Sequence, residues 1–420
     1  MKRNLIYLGV VFVLGVTGMF LLAARLVHKS FTPPQVVYRN EWSPAAAARY
    51  LDAREVWWQY WPSAQRDHGT MCVSCHTVVP YALVRPALRR QLGQMDRTAT
   101  EQKMLDSIET RVANWPQTSS WYGGPAYAGP SRATESVLNV LILSAYDAAD
   151  GQQLSPATRS AFDDAWALQS TSGNNAGGWD WQNFHEAPWE SNESAYQGAA
   201  MMAIAVGMTP ESYRVTPAVQ EHLTQLDAYL QQKYPAQPLL NQLYVLWASA
   251  STPDLLTDSE RHQLIAMVTS LQQPDGGWSL SSLDRQTALK PAFLDFFKRA
   301  DRVDGSDGCA TGLVLLGLEK AGVDPHDAVF HRGFAWLTQH QHQDGSWWAT
   351  SLNGLRDPKS DMGHFMSDAA TGYAVLALEQ ARTQQSETSA VQNGKIARVR
   401  AAGSLGKKGH NDSADTPLSN

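Results

Sequence analysis

The sequence predicts an all-α protein in which helical hairpins stack and close into a ring. Three observations carry this. A turn of pattern Gln-x-x-Asp-Gly-small-Trp occurs twice, as QQPDGGW at 272–278 and QHQDGSW at 341–347, and each copy follows an amphipathic helical run. Runs that are apolar nearly all round, which should be buried, alternate with runs that carry one polar face, which should be outer. The period-2 alternation of a half-buried strand is almost absent.

From the N-terminus, Lys2 and Arg3 precede an uncharged run at residues 5–24. Twenty apolar-dominated residues rise roughly 30 Å as a helix, the thickness of a bilayer core. A cleavable signal peptide has a shorter apolar stretch, about 7–15 residues. Residues 1–29 are therefore expected to be an uncleaved signal anchor, with a signal cleaved near Ala24 as the alternative. Arg25, His28 and Lys29 balance Lys2 and Arg3, so flanking charge does not orient the run.

Residues 71–77 read MCVSCHT. Cys72, Cys75 and His76 make the Cys-x-x-Cys-His pattern of c-type haem attachment. Two thiols with two residues between them reach the two vinyl groups of one porphyrin, and the next His falls under the iron as proximal ligand. A redox dithiol, a zinc site needing two further ligands and a strained short disulfide are the alternatives. Residues 30–118 thus resemble a c-type cytochrome, the specific part being five residues long. The resemblance implies one covalent haem c and electron transfer. It also implies attachment outside the cytoplasmic membrane, hence a single-pass inner-membrane protein with its bulk on the periplasmic side. For the sixth iron position Met95 and Met104 are the downstream candidates, His68 is an upstream one, and an open position is the alternative. Trp57, Trp58, Tyr60 and Trp61 should either wall the porphyrin or pack this segment on the rest.

Residues 119–382 hold the repeats. SDGCATGLVLLGLE at 306–319 and SDAATGYAVLALE at 367–379 share Ser-Asp, Ala-Thr-Gly and a closing Leu-x-Leu-Glu, with one residue fewer in the second. A looser copy of the Trp turn spans 166–179. In these turns Gly permits left-handed backbone at a helix end, Gln and Asp can bond free backbone groups, and Trp can cover the neighbouring helix end. The turns at 272–278 and 341–347 resemble the QW repeats of squalene–hopene and oxidosqualene cyclases and the related turns of protein prenyltransferase β subunits. That resemblance implies an α/α toroid with an apolar central cavity for isoprenoid chains.

The resemblance has limits. The Asp-x-Asp-Asp acid motif of those cyclases is missing. Asp304, Asp307 and Asp368 are the nearest acids, and an Asp at a helix start is commonly an N-cap. Asp307 and Cys309 with His364 would imitate the prenyltransferase zinc set, but their register argues against it. The aromatic segment 177–193 is either a loop over the cavity mouth or a hairpin turn. Within it His185 with Glu186 and Glu190 could be an acid/base set. Residues 383–420 show no apolar period and are expected to be disordered.

The formal charge of −6 leaves no basic footprint, which sets nucleic acid aside. Three classes of function stay open. The first is a membrane-anchored cytochrome whose toroid binds an isoprenoid, a quinone or a redox partner protein. The second is an isoprenoid-modifying enzyme. The third is a toroid used only for docking.

Overall fold

The computed structural model describes residues 37–151, 153–284, 305–353, 356–357 and 360–406. The helices of ten residues or more among them are α1 Pro44–Tyr60, α2 Val78–Gln91, α3 Ala99–Ala113, α4 Ala128–Asp150, α5 Pro156–Ala167 and α6 Ser194–Gly207, followed by α7 Pro217–Lys233, α8 Leu239–Ala248, α9 Asp258–Ser270, α10 Gly308–Lys320, α11 Ala328–Gln339 and α12 Asp361–Gly406. No strand forms among the described residues; isolated bridges such as Gln65–Met71 and Glu186–Glu190 stand in its place.

Local sequence starts the odd-numbered helices. Ser43, Ser155, Thr98 and Thr257 each accept a backbone N–H as N-caps of α1, α5, α3 and α9, the last two in capping boxes with Glu101 and Glu260. Burial then separates two layers. In α10 every residue from Gly308 to Glu319 is buried, whereas α9 buries only Leu264 and Val268. The even-numbered helices pack in the order α2, α4, α6, α8, α10, α12, and α12 returns to α2. They are the inner ring, and the odd-numbered helices form the outer layer: an all-α toroid, as expected.

The Trp turns are staples of this ring, repeated three times with one geometry. Gln169, Gln272 and Gln341 each donate to a carbonyl of their own turn and to a carbonyl on the next outer helix or its cap: His222, Val329 and Ser43. Trp179, Trp278 and Trp347 donate back to Ala165, Val268 and Leu337 of the preceding outer helix. The loose copy at 166–179 therefore uses the same bonds with a longer loop. Gly345 has φ +100, and a Cβ there would meet the Ala46 carbonyl oxygen at 2.2 Å. The third staple thus joins the last hairpin to α1 and closes the ring.

Three expectations are corrected or lie elsewhere. The described residues from Arg39 onward pack as one compact unit, and α2, the helix that follows the Cys-x-x-Cys-His motif, is one of the six inner helices. The expected boundary at 118/119 therefore does not divide the packing. The stretch from 383 is helical through Gly406, because a helix already nucleated by α12 extends cheaply through residues without proline. No helix among the described residues is long and apolar enough to cross a membrane; the expected anchor lies outside the described residues.

Candidate functional site

The loops that lead into inner helices α2, α4, α6 and α12 surround one open cavity, with about 1100 Å³ of empty space including its mouth. The Cys72–His76 motif, the aromatic segment near Trp189 and the start of α12 all line it. Two features read separately in the sequence thus meet at the toroid's mouth.

The motif is held by short-range bonds. The Cys72 amide donates to the Ala64 carbonyl at 2.9 Å, and its own carbonyl accepts from Trp58 Nε1 at 2.8 Å. Ser74 Oγ accepts the amides of Thr77 and Val78 and so caps α2. That leaves the Thr77 hydroxyl free of capping duty. It donates instead to Asp368 Oδ2 on α12 at 2.7 Å, while His76 Nδ1 lies 2.9 Å from the same hydroxyl. Asp368 Oδ1 also accepts Arg54 Nε at 2.8 Å and the Tyr50 hydroxyl at 2.9 Å.

The imidazole of His76 is enclosed by rings. Phe365 stacks on it at 3.9 Å between centroids, Trp58 meets it edge-on at 5.4 Å, and Trp189 lies at 5.9 Å. Burial, with Arg54 and Arg356 adding, pushes its pKa down to about 3, so the ring is neutral at physiological pH. Nδ1 makes the one hydrogen bond of this ring among the described residues, and His76 lines the cavity. Cys72 and Cys75 are free, buried thiols on the same wall. Burial pushes Cys72 up to about 11 and Cys75 well above the ordinary thiol range. Reactive dithiols need the opposite shift, so the environment weighs against a redox dithiol. Among the described residues no group of three or more His, Cys, Asp or Glu side chains is placed to hold a metal ion.

The remaining wall is aromatic with a few polar groups. Trp58 and Trp61 line the cavity, and Trp57 stacks behind Trp61 at 5.0 Å. Gln182 and the Trp121 indole line it as well. Both ends of the Gln182 amide and Trp121 Nε1 are buried without a hydrogen-bond partner among the described residues. Glu190 is pushed up to about 7, first by burial and then by Glu186, which pairs with Arg356 at 3.2 Å.

Other candidates fall elsewhere. Met95 is 91% exposed and Met104 is sealed in α3 packing; neither lines the cavity, whereas Met362 and Met366 do. His68 and His185 are exposed with positive φ and stand off the wall. Asp307 is the N-cap of α10, its oxygens taken by the Ala310 and Leu280 amides, and burial raises it to about 7. Asp304 lies outside the described residues. Asp368 is fully buried and acts as a hub. Gln182, Trp121, Thr77, Met362, Met366 and Arg356 carried no motif; their common signal is position, since they lie at the N-terminal ends of inner helices or just before them.

Residues 307–409, about a quarter of the chain, match the squalene-hopene cyclase C-terminal domain. The match takes in α10, α11, the ring-closing Trp turn and all of α12. The toroid is terpenoid cyclase-like. No curated protein matches the chain. Among solved structures, a glycosyl hydrolase family 88 protein from Bacteroides vulgatus is similar over 86% of this chain and 96% of its own, at 13% identity and a TM-score of 0.34.

Proposed function

We propose that this protein binds one haem covalently through Cys72 and Cys75 at the mouth of its terpenoid cyclase-like toroid, with His76 as proximal iron ligand, and that it works in electron transfer. The observation that carries the reading is the coincidence of motif and cavity. Two unpaired thiols and a neutral imidazole, committed only at Nδ1, line the same open space. A bound haem supplies one-electron chemistry at iron. The chain's residues do the rest. His76 is oriented by Phe365 on its face and Thr77 at its edge. Trp58, Trp61 and Trp189 line the cavity beside the thiols. The unpartnered donors Trp121 Nε1 and Gln182 suit the polar edge of a porphyrin. Anchoring by residues 1–29 and a periplasmic site belong to the same proposal, because c-type attachment takes place outside the cytoplasm. An isoprenoid or quinone is the ligand class that suits the aromatic walls.

A second reading, an isoprenoid-modifying enzyme, has one observation in its favour. Glu190 is a carboxyl raised to about 7 inside an aromatic cavity, as a general acid requires. Asp307 and Asp368 are both fully engaged and do not serve.

The test is an absorption spectrum and a denaturing-gel haem stain of the full chain after expression with c-type maturation. Covalent haem that disappears in Cys72→Ala with Cys75→Ala is expected. A folded, colourless wild-type protein would reject the haem reading, and an isoprenoid in its lipid extract would then favour the enzyme.

A further inference from the structure

The chain of bonds behind His76 has a direction. The Asp368 carboxylate takes three donors, among them the Arg54 guanidinium, which has only donors to offer. Paired with that cation the carboxylate is an acceptor only. The single proton of the Thr77 hydroxyl therefore goes to Asp368 Oδ2, and the Thr77 oxygen has only lone pairs left for His76. Nδ1 must then be the protonated nitrogen, and Nε2 keeps its lone pair for the cavity. The Thr77 and Val78 amides are already satisfied by Ser74, so no other duty competes for this hydroxyl. The relay also crosses the seam of the ring, from α2 to α12. Gly372 permits that close approach: a Cβ there would stand 2.3 Å from the Pro80 Cβ.

We propose that Asp368, acting through Thr77, is a positioning group that sets the His76 tautomer and lowers the reduction potential of the haem. The inference deepens the haem reading above and depends on it for its redox half. Negative charge relayed onto an N–H of a ligating imidazole raises the basicity of the other nitrogen. A more basic ligand favours the ferric state over the ferrous. Asp368 and Thr77 would thus hold the iron at a lower potential than the same motif gives without a buried carboxylate behind it.

The experiment uses the full chain. With haem attached, Thr77→Val keeps the side-chain shape and removes the hydroxyl. At the wild-type midpoint potential its ferrous-to-ferric ratio should rise about tenfold, which is about 59 mV for a one-electron couple. Thr77→Ser should restore the wild-type value. If valine does not pack, Thr77→Ala removes the same hydroxyl with a smaller side chain. In the haem-free Cys72→Ala, Cys75→Ala chain, nitrogen NMR should find Nδ1 of His76 protonated with Thr77 or Ser at position 77, and that preference lost with valine. Equal potentials for the Thr, Ser and Val proteins, each with covalent haem, overturn the relay and leave the haem reading intact. A proton on Nε2 in the haem-free chain overturns the tautomer assignment whether or not haem binds. If no haem attaches to wild type, the redox half falls with the haem reading, and the nitrogen spectrum alone decides the tautomer half.

Discussion

Asp307 and Asp368 stand at the same place in two copies of one repeat, yet they do different work. Each lies just before a Thr that holds the Trp turn: Thr311 Oγ1 accepts the Trp278 amide and Thr371 Oγ1 the Trp347 amide. Asp307 precedes its Thr by four residues and Asp368 by three. One residue is about 100° around a helix of 3.6 residues per turn. With the Thr pinned by its turn, the missing residue swings the Asp to a different face. Asp307 receives backbone amides at the start of α10. Asp368 lies inside α12, which begins at Asp361, and meets side chains from α1 and from the residue after His76. A repeat can thus keep its staple and free its acid, provided that ring closure supplies a partner.

Substitution can break this comparison. Asp368→Asn leaves the Arg54 guanidinium buried without its carboxylate, and loss of one partner from a buried pair costs about 3–5 kcal/mol. Chemical denaturation should find a loss of that size. A third buried carboxyl sharpens the contrast. Glu55 has one oxygen bonded by Gln59 and the other unpartnered among the described residues, and burial pushes it up to about 8. Its folded pKa lies above the unfolded value, so the folded state binds the extra proton. Stability is therefore full below about pH 4.5 and falls as pH rises towards 8. Between pH 6 and 8 the fall attributable to this group is about 2 kcal/mol, at roughly 1.4 kcal/mol per unit. Glu55→Gln should flatten that slope in denaturation curves taken across the range.

The staples allow a finer test. Gln341 makes two donated bonds and accepts the part-buried Ser43 amide, whereas Gln272 donates two of the same kind and accepts from the exposed Arg332 guanidinium. Gln341→Ala should cost about 2 kcal/mol and Gln272→Ala somewhat less. The Gln341 variant alone should speed hydrogen exchange at both α1 and α12, because it opens the seam. Smallest of all, Asp307→Asn keeps an N-cap oxygen and loses the charge and one amide partner. It should cost about 1 kcal/mol and, where haem is attached as proposed, leave its spectrum unchanged. A shifted spectrum would mean that the two aspartates are not functionally separate.

Much of this was legible in the chain. The Trp turns announced their own bonding, since Gln, Gly and Trp at fixed spacing satisfy a helix end by local geometry. The buried and half-buried helical runs announced the layers. Which methionines line the cavity was not legible. Met95 and Met104 are near His76 in sequence, while Met362 and Met366 reach the cavity only because α12 closes against α2. The separate cytochrome-like segment was likewise an inference from chain order, which does not show that α2 belongs to the inner ring.

The sequence by itself determined the alternating helical layers, the local bonds of the Trp turns and the Cys72, Cys75, His76 motif, because each depends on residues within a few turns of one another. The tertiary structure alone decided that the motif lines the toroid mouth, that Phe365 covers His76, and that Asp368 stands behind Thr77. Those contacts join residues about 290 positions apart. Only closure of the ring, through Gln341 on Ser43 and Gly372 against Pro80, brings them within hydrogen-bonding distance.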